Sequence, residues 1–574
     1  MRKNWKALAC MAMACTMLCG TFVGCGGNSS NGNGTSSGAG GTQGDSVQAP
    51  NKTLGVAEEY LPVVDKIKAQ TGKVDVVILF DGTEKGWEAL EKEYERIHNN
   101  QVNVELNTRY TSETYADALN NQYGSKTDWD IVQGNLGYGE NTRTYCYNMA
   151  AKITSKNEYA GNKTWSEVLE EDAYISDKTG GNTETYLMNS EGLQTAWFYN
   201  KLAFNEAVEK GYENSKGEAD IPLTWDDLIY LCEKMEEAGY NNPLGISLNR
   251  DSISASQFTW LLRVYGDYYY RNEYNYIMND DNYEVDLTNE NPEEGSGYSV
   301  CNTKIFNMIL DEDDEAEYGH YVGGTSDKFQ DFLAQFEKMS EHLPSDVINI
   351  SMEEMRSDFR SQGKGKNAPQ IMLDYAGIGL SYAKSEAIDV DFFDYPIMES
   401  EYVEEETLLR DVGGNGGYLS IVTFSHSTEQ NNLNIDFMKF VMSPYGQTVY
   451  YKGLSEGGGV PKGLTTVVND YVVIPEEWKA FFETDKIAFT GLSDSNPFVS
   501  YFIRDLSGEY NSNLKARELW QNFLAGQGGD KISAEKFGGD WQDVLLQDWA
   551  NFSTSQGWDK NCWKYPGESE KFGG

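Results

Sequence analysis

Between residues 196 and 248, the spacing of the apolar positions changes from a continuous run to helical intervals and then back to a run. The run Ala196–Tyr199 is short and aromatic, which predicts a buried strand. Apolar residues then recur at wider spacing over 202–208, as they do along one face of a helix. Pro222 breaks this pattern, and the run PLGISL at 243–248 predicts a second strand.

A second helix in this segment carries both a start signal and a stop signal. Thr224 precedes it, and Asp227 follows three positions later, which is the spacing of a capping box. Gly239 stands where a left-handed cap ends a helix. The apolar face of this helix consists of Trp225, Leu228, Leu231, Cys232 and Met235. The segment therefore predicts the order strand, helix, loop, helix, strand.

Strands and helices also alternate through the first part of the chain. The predicted elements are strands at 74–80, 102–106 and 129–132 and helices at 87–97 and 115–123. Such alternation predicts a parallel sheet covered on both faces, with ligands near the carboxyl ends of its strands. The loops 81–86 and 133–138 follow two of those ends.

Length and charge narrow the class of protein. The 574 residues suggest two or three domains, and an aromatic content of 13% is enough to build their cores. The formal net charge is −44, which argues against nucleic acid and anionic lipid surfaces as partners, because both need clustered positive charge. Tyrosine (37) and tryptophan (13) are in excess, and their rings serve either as core or as platforms for the apolar faces of sugars.

The amino terminus has the pattern of an export signal. Arg2, Lys3 and Lys6 precede an apolar run, which predicts a secretory signal peptide over residues 1–24. The run is too short to be a comfortable membrane span.

Val23-Gly24-Cys25 resembles the bacterial lipobox, which implies that the thiol of Cys25 carries a lipid. Residues 25–70 are then a lipidated cysteine and a flexible linker, because 26–50 contains almost no apolar residue. The mature chain is expected at the extracytoplasmic face of the bacterial cell membrane, held by the lipid anchor only. Cleavage and free secretion are the alternative.

Four short motifs of the segment 196–248 occur together in one known family. They are YNK at 199–201, Pro222 followed by TWDDL at 224–228, EAG at 237–239 and PLGISL at 243–248. In this order they resemble the segment shared by extracytoplasmic solute-binding proteins of ATP-binding-cassette (ABC) importers, in the sugar-binding branch that includes maltose-binding protein. The resemblance implies an α/β, two-lobe fold like that of periplasmic binding proteins, with a hinge and with the ligand in the cleft between the lobes.

The resemblance also implies how the chain is divided. Lobe 1 is expected from residues 71–188 and 409–455, and lobe 2 from residues 189–408 and 456–574. The acidic, tyrosine-rich stretch at about 267–320 exceeds what smaller members of the family need, so it is interpreted as an insertion in lobe 2.

The ligand-binding residues implied by the resemblance lie at strand ends and where the chain crosses between lobes. Those expected after the first and third strands are Asp81, Glu84, Lys85, Gln133 and Asn135. The others are Glu191, Trp260, Asp374, Tyr375, Gly414 and Asn415. Two alternatives remain open, since Glu191 is either a hinge residue or a ligand contact and Trp260 lies either in the core or in the cleft. Glycine-rich loops are also common in α/β proteins that bind nothing there.

Signatures of enzymes are absent from the sequence. It has no H-E-x-x-H pair for zinc, no G-x-S-x-G elbow and no Walker loop. We therefore predict no catalytic residue, no cofactor and no metal site. The acidic run 311–315 is interpreted as a solvated face and not as a calcium loop, because it has no central glycine.

Four cysteines follow Cys25 in the sequence. Cys146, Cys232, Cys301 and Cys562 are an even set in a chain that is predicted to be exported, so two disulfides are possible, in any of three pairings. The place of Cys232 on an apolar helix face indicates a buried thiol instead.

The hypothesis that follows is a monomeric binding protein, not an enzyme, that captures oligosaccharides and delivers them to the permease of an ABC importer. The alternative is a surface glycoside hydrolase or a polysaccharide-adhesion lipoprotein, which would share the anchor, the linker and the aromatic residues. The two segments at 196–248 and 413–450, which resemble the family, favour the first. Turnover of an oligosaccharide would favour the second.

Overall fold

Strands and helices alternate along the chain, and two separate sheets collect most of the strands. The computed structural model describes residues 47–556 apart from 80–81, 111–128, 134–144, 171–172, 175–176, 180–181, 249–256, 279–322, 345–346, 363–367, 386–387, 405, 412–417, 423–425, 483–486, 489–511 and 527–530. All described residues belong to one compact unit, Ser46–Gly574.

The strands and α-helices have the following bounds. The strands are β1 (Gly72–Leu79), β2 (Val102–Tyr110), β3 (Ile131–Gln133), β4 (Lys156–Asn157), β5 (Lys163–Thr164), β6 (Asp177–Thr179), β7 (Asn182–Glu184), β8 (Met188–Asn189), β9 (Glu191–Leu193), β10 (Thr195–Asn200), β11 (Leu244–Gly245), β12 (Ile371–Tyr375), β13 (Val390–Phe393), β14 (Leu409–Arg410), β15 (Tyr418–Ile421), β16 (Gly463–Thr465) and β17 (Ile487–Ala488). The helices are α1 (Glu84–Ile97), α2 (Ala150–Ile153), α3 (Lys201–Glu209), α4 (Trp225–Glu237), α5 (Gln257–Met278), α6 (Asp327–Ser340), α7 (Met352–Ser361), α8 (Ala376–Ala383), α9 (Thr428–Val441), α10 (Pro444–Glu456), α11 (Glu476–Phe482), α12 (Ser512–Ala525) and α13 (Ala534–Gln556).

The first sheet has five strands in the order β2-β1-β3-β15-β8. Its strand β1 is parallel to β2 and β3, and Val74, Val76 and Val77 in β1 are fully buried. The parallel pairing predicted for these three strands is confirmed. β15 lies antiparallel to both β3 and β8, so the complete sheet is mixed. The antiparallel strand arrives from late in the chain, where the local alternation of strands and helices could not reveal it. The helix predicted at 115–123 lies outside the described residues.

The second sheet has four strands in the order β11-β12-β10-β13. β10 is antiparallel to both β12 and β13, and all six of its residues are buried. The ring of Trp197 stacks on Phe393 in β13, with centroids 6.4 Å apart. The short aromatic run that predicted a buried strand is thereby confirmed.

Helix α4 forms as its sequence signals predicted. Thr224 Oγ1 accepts a hydrogen bond from Asp227 N at 3.1 Å, and Asp227 Oδ2 accepts one from Thr224 N at 3.0 Å. Gly239 follows the helix with a φ of +97°, a conformation that favours glycine. The predicted apolar face, Trp225, Leu228, Leu231, Cys232 and Met235, is buried throughout.

The apolar face predicted for α3 is wrong at one position. Leu202 is 58% exposed, whereas Phe204 is buried. The other buried positions of this helix are Ala203 and Ala207, so small residues face the core where the spacing suggested leucine.

The chain passes from the first sheet to the second around Glu191, where the resemblance implies a hinge residue or a ligand contact. β8 belongs to the first sheet and β10 to the second, while β9 between them forms an antiparallel ribbon with β16. In this ribbon, a Cβ on Gly463 would lie 1.6 Å from the carbonyl oxygen of Gly192. The close approach of the two strands therefore requires glycine at position 463.

Residues 47–69 form an arm that packs on the body of the protein. Asn51 N donates to Tyr445 Oη at 2.7 Å, and Val63 N donates to Glu158 O at 2.9 Å. The buried side chains of the arm are Val47, Val56, Tyr60, Leu61 and Ile67. Residues 47–69 are thus packed on the protein, whereas the sequence extended the flexible linker to residue 70. The predicted signal peptide 1–24 and Cys25 lie outside the described residues.

The first residues of the predicted acidic insertion are part of the core. Helix α5 buries Asp267 and Glu273, and each has a cationic partner: Arg410 Nε donates to Asp267 Oδ2 at 2.9 Å, and Lys328 Nζ lies 2.5 Å from Glu273 Oε1. Residues 267–273 of the predicted insertion are therefore packed in the core, and its bounds stay a prediction. Residues 279–322, including the acidic run 311–315, lie outside the described residues.

The two described cysteines, Cys146 and Cys232, are buried free thiols. The expectation of two disulfides is therefore wrong for these two residues, and the buried thiol inferred for Cys232 is confirmed. Burial raises the pKa of Cys146 to about 12. Cys301 and Cys562 lie outside the described residues. Among the helices that the structure describes, none combines the length and the apolar character needed to cross a bilayer.

Candidate ligand-binding site

Two aromatic side chains meet at the carboxyl end of β12. Tyr375 is the last residue of that strand, and Trp260 lies in the first turn of α5. Their ring centroids are 6.4 Å apart with an interplanar angle of 86°, an edge-to-face arrangement that aromatic pairs favour. Both side chains are half-buried. Trp260 is thus packed against the core on one side and exposed on another. This placement is intermediate between the two alternatives from the sequence, a core residue and a cleft residue.

A buried ion pair lies directly behind Tyr375. Arg356 in α7 donates from Nε and Nη2 to the two carboxylate oxygens of Asp374, each at 2.8 Å. The guanidinium carbon also lies 5.5 Å from the centroid of the Tyr375 ring, within the range of a cation–π interaction. Burial raises the pKa of Asp374, and the two bonds from Arg356 oppose that rise.

Asp374 therefore has a positioning role in this structure. Its carboxylate is fully buried, and it accepts hydrogen bonds from Arg356 and, at 2.9 Å, from Tyr375 N. A bidentate pair of this kind is rigid, because the planar guanidinium matches both carboxylate oxygens at once. The sequence assigned Asp374 to the ligand but gave no signal for Arg356, whose helix has the composition of a surface helix.

Glu191 lies in β9, at the crossing between the two sheets, and is buried. Its Oε2 accepts a hydrogen bond from Tyr450 Oη at 3.1 Å. The Tyr450 ring in turn packs edge-on against Trp87, and a Cβ on Gly86 would lie 2.4 Å from that ring. Glycine at 86 therefore lets α1 and α10 approach closely enough for Tyr450 to reach Glu191.

Gln194 is a candidate that the sequence did not single out beyond its place in the crossing. Its side chain is 6% exposed, and the amide oxygen Oε1 has no hydrogen-bond partner among the described residues. Its backbone oxygen accepts from Ala376 N at 2.8 Å, which fixes Gln194 beside Tyr375. A buried amide oxygen without a partner costs about 1–3 kcal/mol, so a ligand hydroxyl placed there would recover that energy.

The residues expected after the first and third strands are placed differently from the prediction. Glu84 and Lys85 form the first turn of α1 and are not part of a loop, and Lys85 Nζ lies 2.7 Å from Glu88 Oε1. Gln133 is buried in β3, and its Oε1 accepts from Leu79 N at 3.1 Å, which ties β3 to β1.

The structure therefore brings together Trp260, Asp374 and Tyr375, with Arg356 and Gln194 added to them. The remaining expected residues, Asp81, Asn135, Gly414 and Asn415, lie outside the described residues. Within the described part of the chain, no group of His, Cys, Asp and Glu side chains has the arrangement of a metal site.

The fold is that of a mixed α/β protein with two principal sheets joined by crossing strands, and solved structures of extracellular solute-binding proteins resemble it over most of the chain. No model of a protein family matches the sequence, and no curated protein matches it.

A family 1 extracellular solute-binding protein from Bifidobacterium longum subsp. infantis has a TM-score of 0.48 and 15% identity, covering 84% of this chain and 99% of that one. The cyclic alpha-maltosyl-1,6-maltose binding protein from Arthrobacter globiformis has a TM-score of 0.46 and 13% identity, covering 84% and 100%. A binding protein of an ABC transporter from Bifidobacterium animalis subsp. lactis, in complex with mannotriose, has a TM-score of 0.45 and 12% identity, covering 85% and 98%. These proteins are of the class that the sequence motifs resemble, and the fold described above rests on this chain's own strand order and registers.

Proposed function

We propose that this protein captures oligosaccharides outside the cytoplasm and delivers them to the permease of an ABC importer. The observation that carries the proposal is the half-buried Trp260–Tyr375 pair, held from behind by Arg356 beside the crossing between the two sheets. A fixed aromatic surface with one open side suits the apolar face of a sugar ring.

Polar groups beside the aromatic pair supply the second half of sugar recognition. A bound sugar loses water from its hydroxyls, and each hydroxyl then needs a protein partner. The amide oxygen of Gln194 is such a partner, because it is buried and unsatisfied among the described residues. Asp81, Glu84, Lys85, Gln133, Asn135, Glu191, Gly414 and Asn415 remain proposed contacts from the sequence.

The two sheets give the proposal a mechanism. We assign lobe 1 to 71–188 and 409–455, and lobe 2 to 189–408 and 456–574, with the β9–β16 ribbon at the hinge. A ligand favours the closed form only when it binds that form more tightly than the open one. An oligosaccharide that contacts both lobes meets this condition, and the closed form would be the one that docks on the permease.

The proposed location follows from the amino terminus. Signal residues 1–24 would direct export, and a lipid on Cys25 would hold the monomer at the outer face of the cell membrane. The proposal includes no catalytic residue, no cofactor and no metal.

Calorimetry on the purified protein tests the proposal, starting with mannotriose and malto-oligosaccharides, because these resemble the ligands named with the similar structures. We expect saturable binding heat and unchanged sugar when the mixture is analysed by chromatography. Trp260→Ala should weaken binding at least about tenfold, since a lost aromatic contact costs on the order of 1.4 kcal/mol. Tyr230→Ala removes an aromatic residue that is 37% exposed on α4 and serves as the control. Formation of shorter sugars would support the glycoside hydrolase instead. An equal loss of affinity in the two variants would show that Trp260 does not belong to the site.

A further inference from the structure

A cavity of about 330 Å³ lies between the arm, α2 and α9, and its lining shares no residue with the candidate ligand-binding site. It is lined by four lysines and two carboxylates: Lys66, Lys68, Lys152, Lys439, Glu158 and Asp436. We call this cavity the lysine pocket. Its volume is about ten times the ~30 Å³ that one water occupies in the liquid, so a small hydrated ion fits inside.

Three of the four lysines in the lysine pocket have no ion-pair partner among the described residues. Lys439 Nζ lies 3.2 Å from Glu158 Oε2, which pairs those two groups. Lys66, Lys68 and Lys152 have no carboxylate within ion-pair distance among the described residues. The chain has 90 acidic residues against 46 lysines and arginines. A concave surface with unpaired lysines is therefore unusual for a chain of this composition.

We propose that the lysine pocket binds a tetrahedral oxyanion, sulfate or a phosphate group, which reaches it either as a free ion or as the headgroup of a phospholipid. Lysine is a compact point charge with three donors and binds such oxygens from many directions. The overall negative charge does not prevent this, because charges beyond a Debye length of about 8 Å are largely screened at physiological ionic strength.

The carboxylate of Asp436 adjusts the affinity of the lysine pocket. It accepts hydrogen bonds from Tyr94 Oη at 2.8 Å and Tyr159 Oη at 2.6 Å. The other charged or titratable groups that face it are His98 immediately after α1, Glu158 after β4, Lys439 on its own helix, and Lys66, Lys68 and Lys152 across the cavity. Burial raises the pKa of Asp436 to about 6, so this carboxylate becomes neutral between pH 7.5 and pH 5. The pocket therefore binds anions more tightly at the lower pH.

Calorimetric titration of the full-length protein with sodium sulfate, at constant ionic strength in sodium chloride, tests the assignment. Sulfate keeps its charge over this pH range, so only the protein titrates. We expect saturable binding that tightens about threefold or more from pH 7.5 to pH 5. The Lys66→Gln, Lys152→Gln double variant should weaken binding about tenfold. The matched control is Lys210→Gln, Lys216→Gln, which removes two exposed lysines elsewhere.

The variant Asp436→Asn tests whether the pH dependence comes from the lysine pocket or from the charge of the whole protein. If it comes from the pocket, this variant should bind sulfate at pH 7.5 as tightly as the unaltered protein does at pH 5. Flotation with phosphatidic acid vesicles, against phosphatidylcholine vesicles, then distinguishes the two sources. If the protein binds the vesicles, and the lysine double variant loses this binding while the control keeps it, the ligand is the lipid headgroup. If the protein binds sulfate but not the vesicles, the ligand is the free ion. Absence of saturable sulfate binding, or equal weakening in the lysine double variant and its control, would overturn the proposal.

Discussion

At the scale of single residues, Arg356 on α7 connects two residues of the candidate site, Asp374 and Tyr375. It is buried, it donates two hydrogen bonds to Asp374, and its guanidinium faces the ring of Tyr375. The end of β12, which carries Tyr375, is therefore held in place by one cation. Removing that cation would leave the carboxylate of Asp374 buried without its counter-charge, which is among the most unfavourable changes inside a protein.

We predict that Arg356→Met lowers the free energy of unfolding by about 3–5 kcal/mol, measured by urea denaturation. The double variant Arg356→Met, Asp374→Leu should recover much of that loss, because neither charge then remains buried. A double variant as unstable as the single one would show that the ion pair is not the cause. Oligosaccharide affinity should fall in both variants, since Tyr375 loses its support in each.

Two neighbouring groups in the first-sheet half respond to pH in opposite directions. His98 is fully buried, it accepts from Gln70 N at Nδ1, and burial lowers its pKa to about 4. Its contribution to stability is present above its unfolded pKa of about 6.5 and is lost as the pH falls towards 4. Burial raises the pKa of Asp436 to about 6, so its contribution grows as the pH falls from 6 towards its unfolded value of about 3.9. The two effects largely cancel in the intact protein.

Asp436→Asn should reveal the pH dependence of stability that comes from His98, because the opposing effect of Asp436 is removed. We predict that the unfolding free energy of the unaltered protein minus that of Asp436→Asn grows by about 2–3 kcal/mol from pH 7 to pH 4. Denaturant titrations at a series of pH values measure this difference. Asp220→Asn, at an exposed aspartate, provides the control and should show almost no such trend. A difference independent of pH would mean that Asp436 is not protonated in this window.

At the scale of elements, the β9–β16 ribbon connects the two sheets through a contact that excludes any side chain at Gly463. We predict that Gly463→Ala destabilises the protein by about 1–3 kcal/mol, because its Cβ would have to displace the Gly192 carbonyl. Gly539→Ala on α13 is the control, since a Cβ there meets nothing within 4 Å. That change should be neutral or slightly stabilising by thermal unfolding. Equal stability of the two variants would contradict the tight ribbon.

Elements with strong local signals could be predicted from the sequence, and those set by distant partners could not. The capping residues Thr224 and Asp227 determine where α4 begins without help from the rest of the chain. β15 could be predicted as a strand, but its antiparallel place beside β3 is decided by the route of the whole chain. The resemblance implies that Gln133 contacts the ligand, yet its amide oxygen accepts a hydrogen bond from the backbone of β1. Gln194 and Arg356 carry no local signal, because their importance comes from neighbours far away in sequence.

At the scale of the whole molecule, a net charge of −44 acts on stability through self-repulsion. The repulsion extends over about 30 Å at 0.01 M salt and over about 8 Å at 0.15 M. We therefore predict that the midpoint of thermal unfolding rises when sodium chloride is increased over that range. Scanning calorimetry measures the shift, and potassium chloride should give the same result because the effect is one of screening. A midpoint that stays constant or falls would show that attractive ion pairs outweigh the repulsion.

The arm at residues 47–69 has a mechanical consequence. Its hydrogen bonds to Tyr445 and Glu158 attach it to the half built on the first sheet. Its Tyr60 ring also stacks on Tyr471, with centroids 4.0 Å apart, in the stretch assigned to lobe 2. Any pull applied from the amino terminus would therefore load both halves at once, and the arm would act as a strap that limits how far they separate.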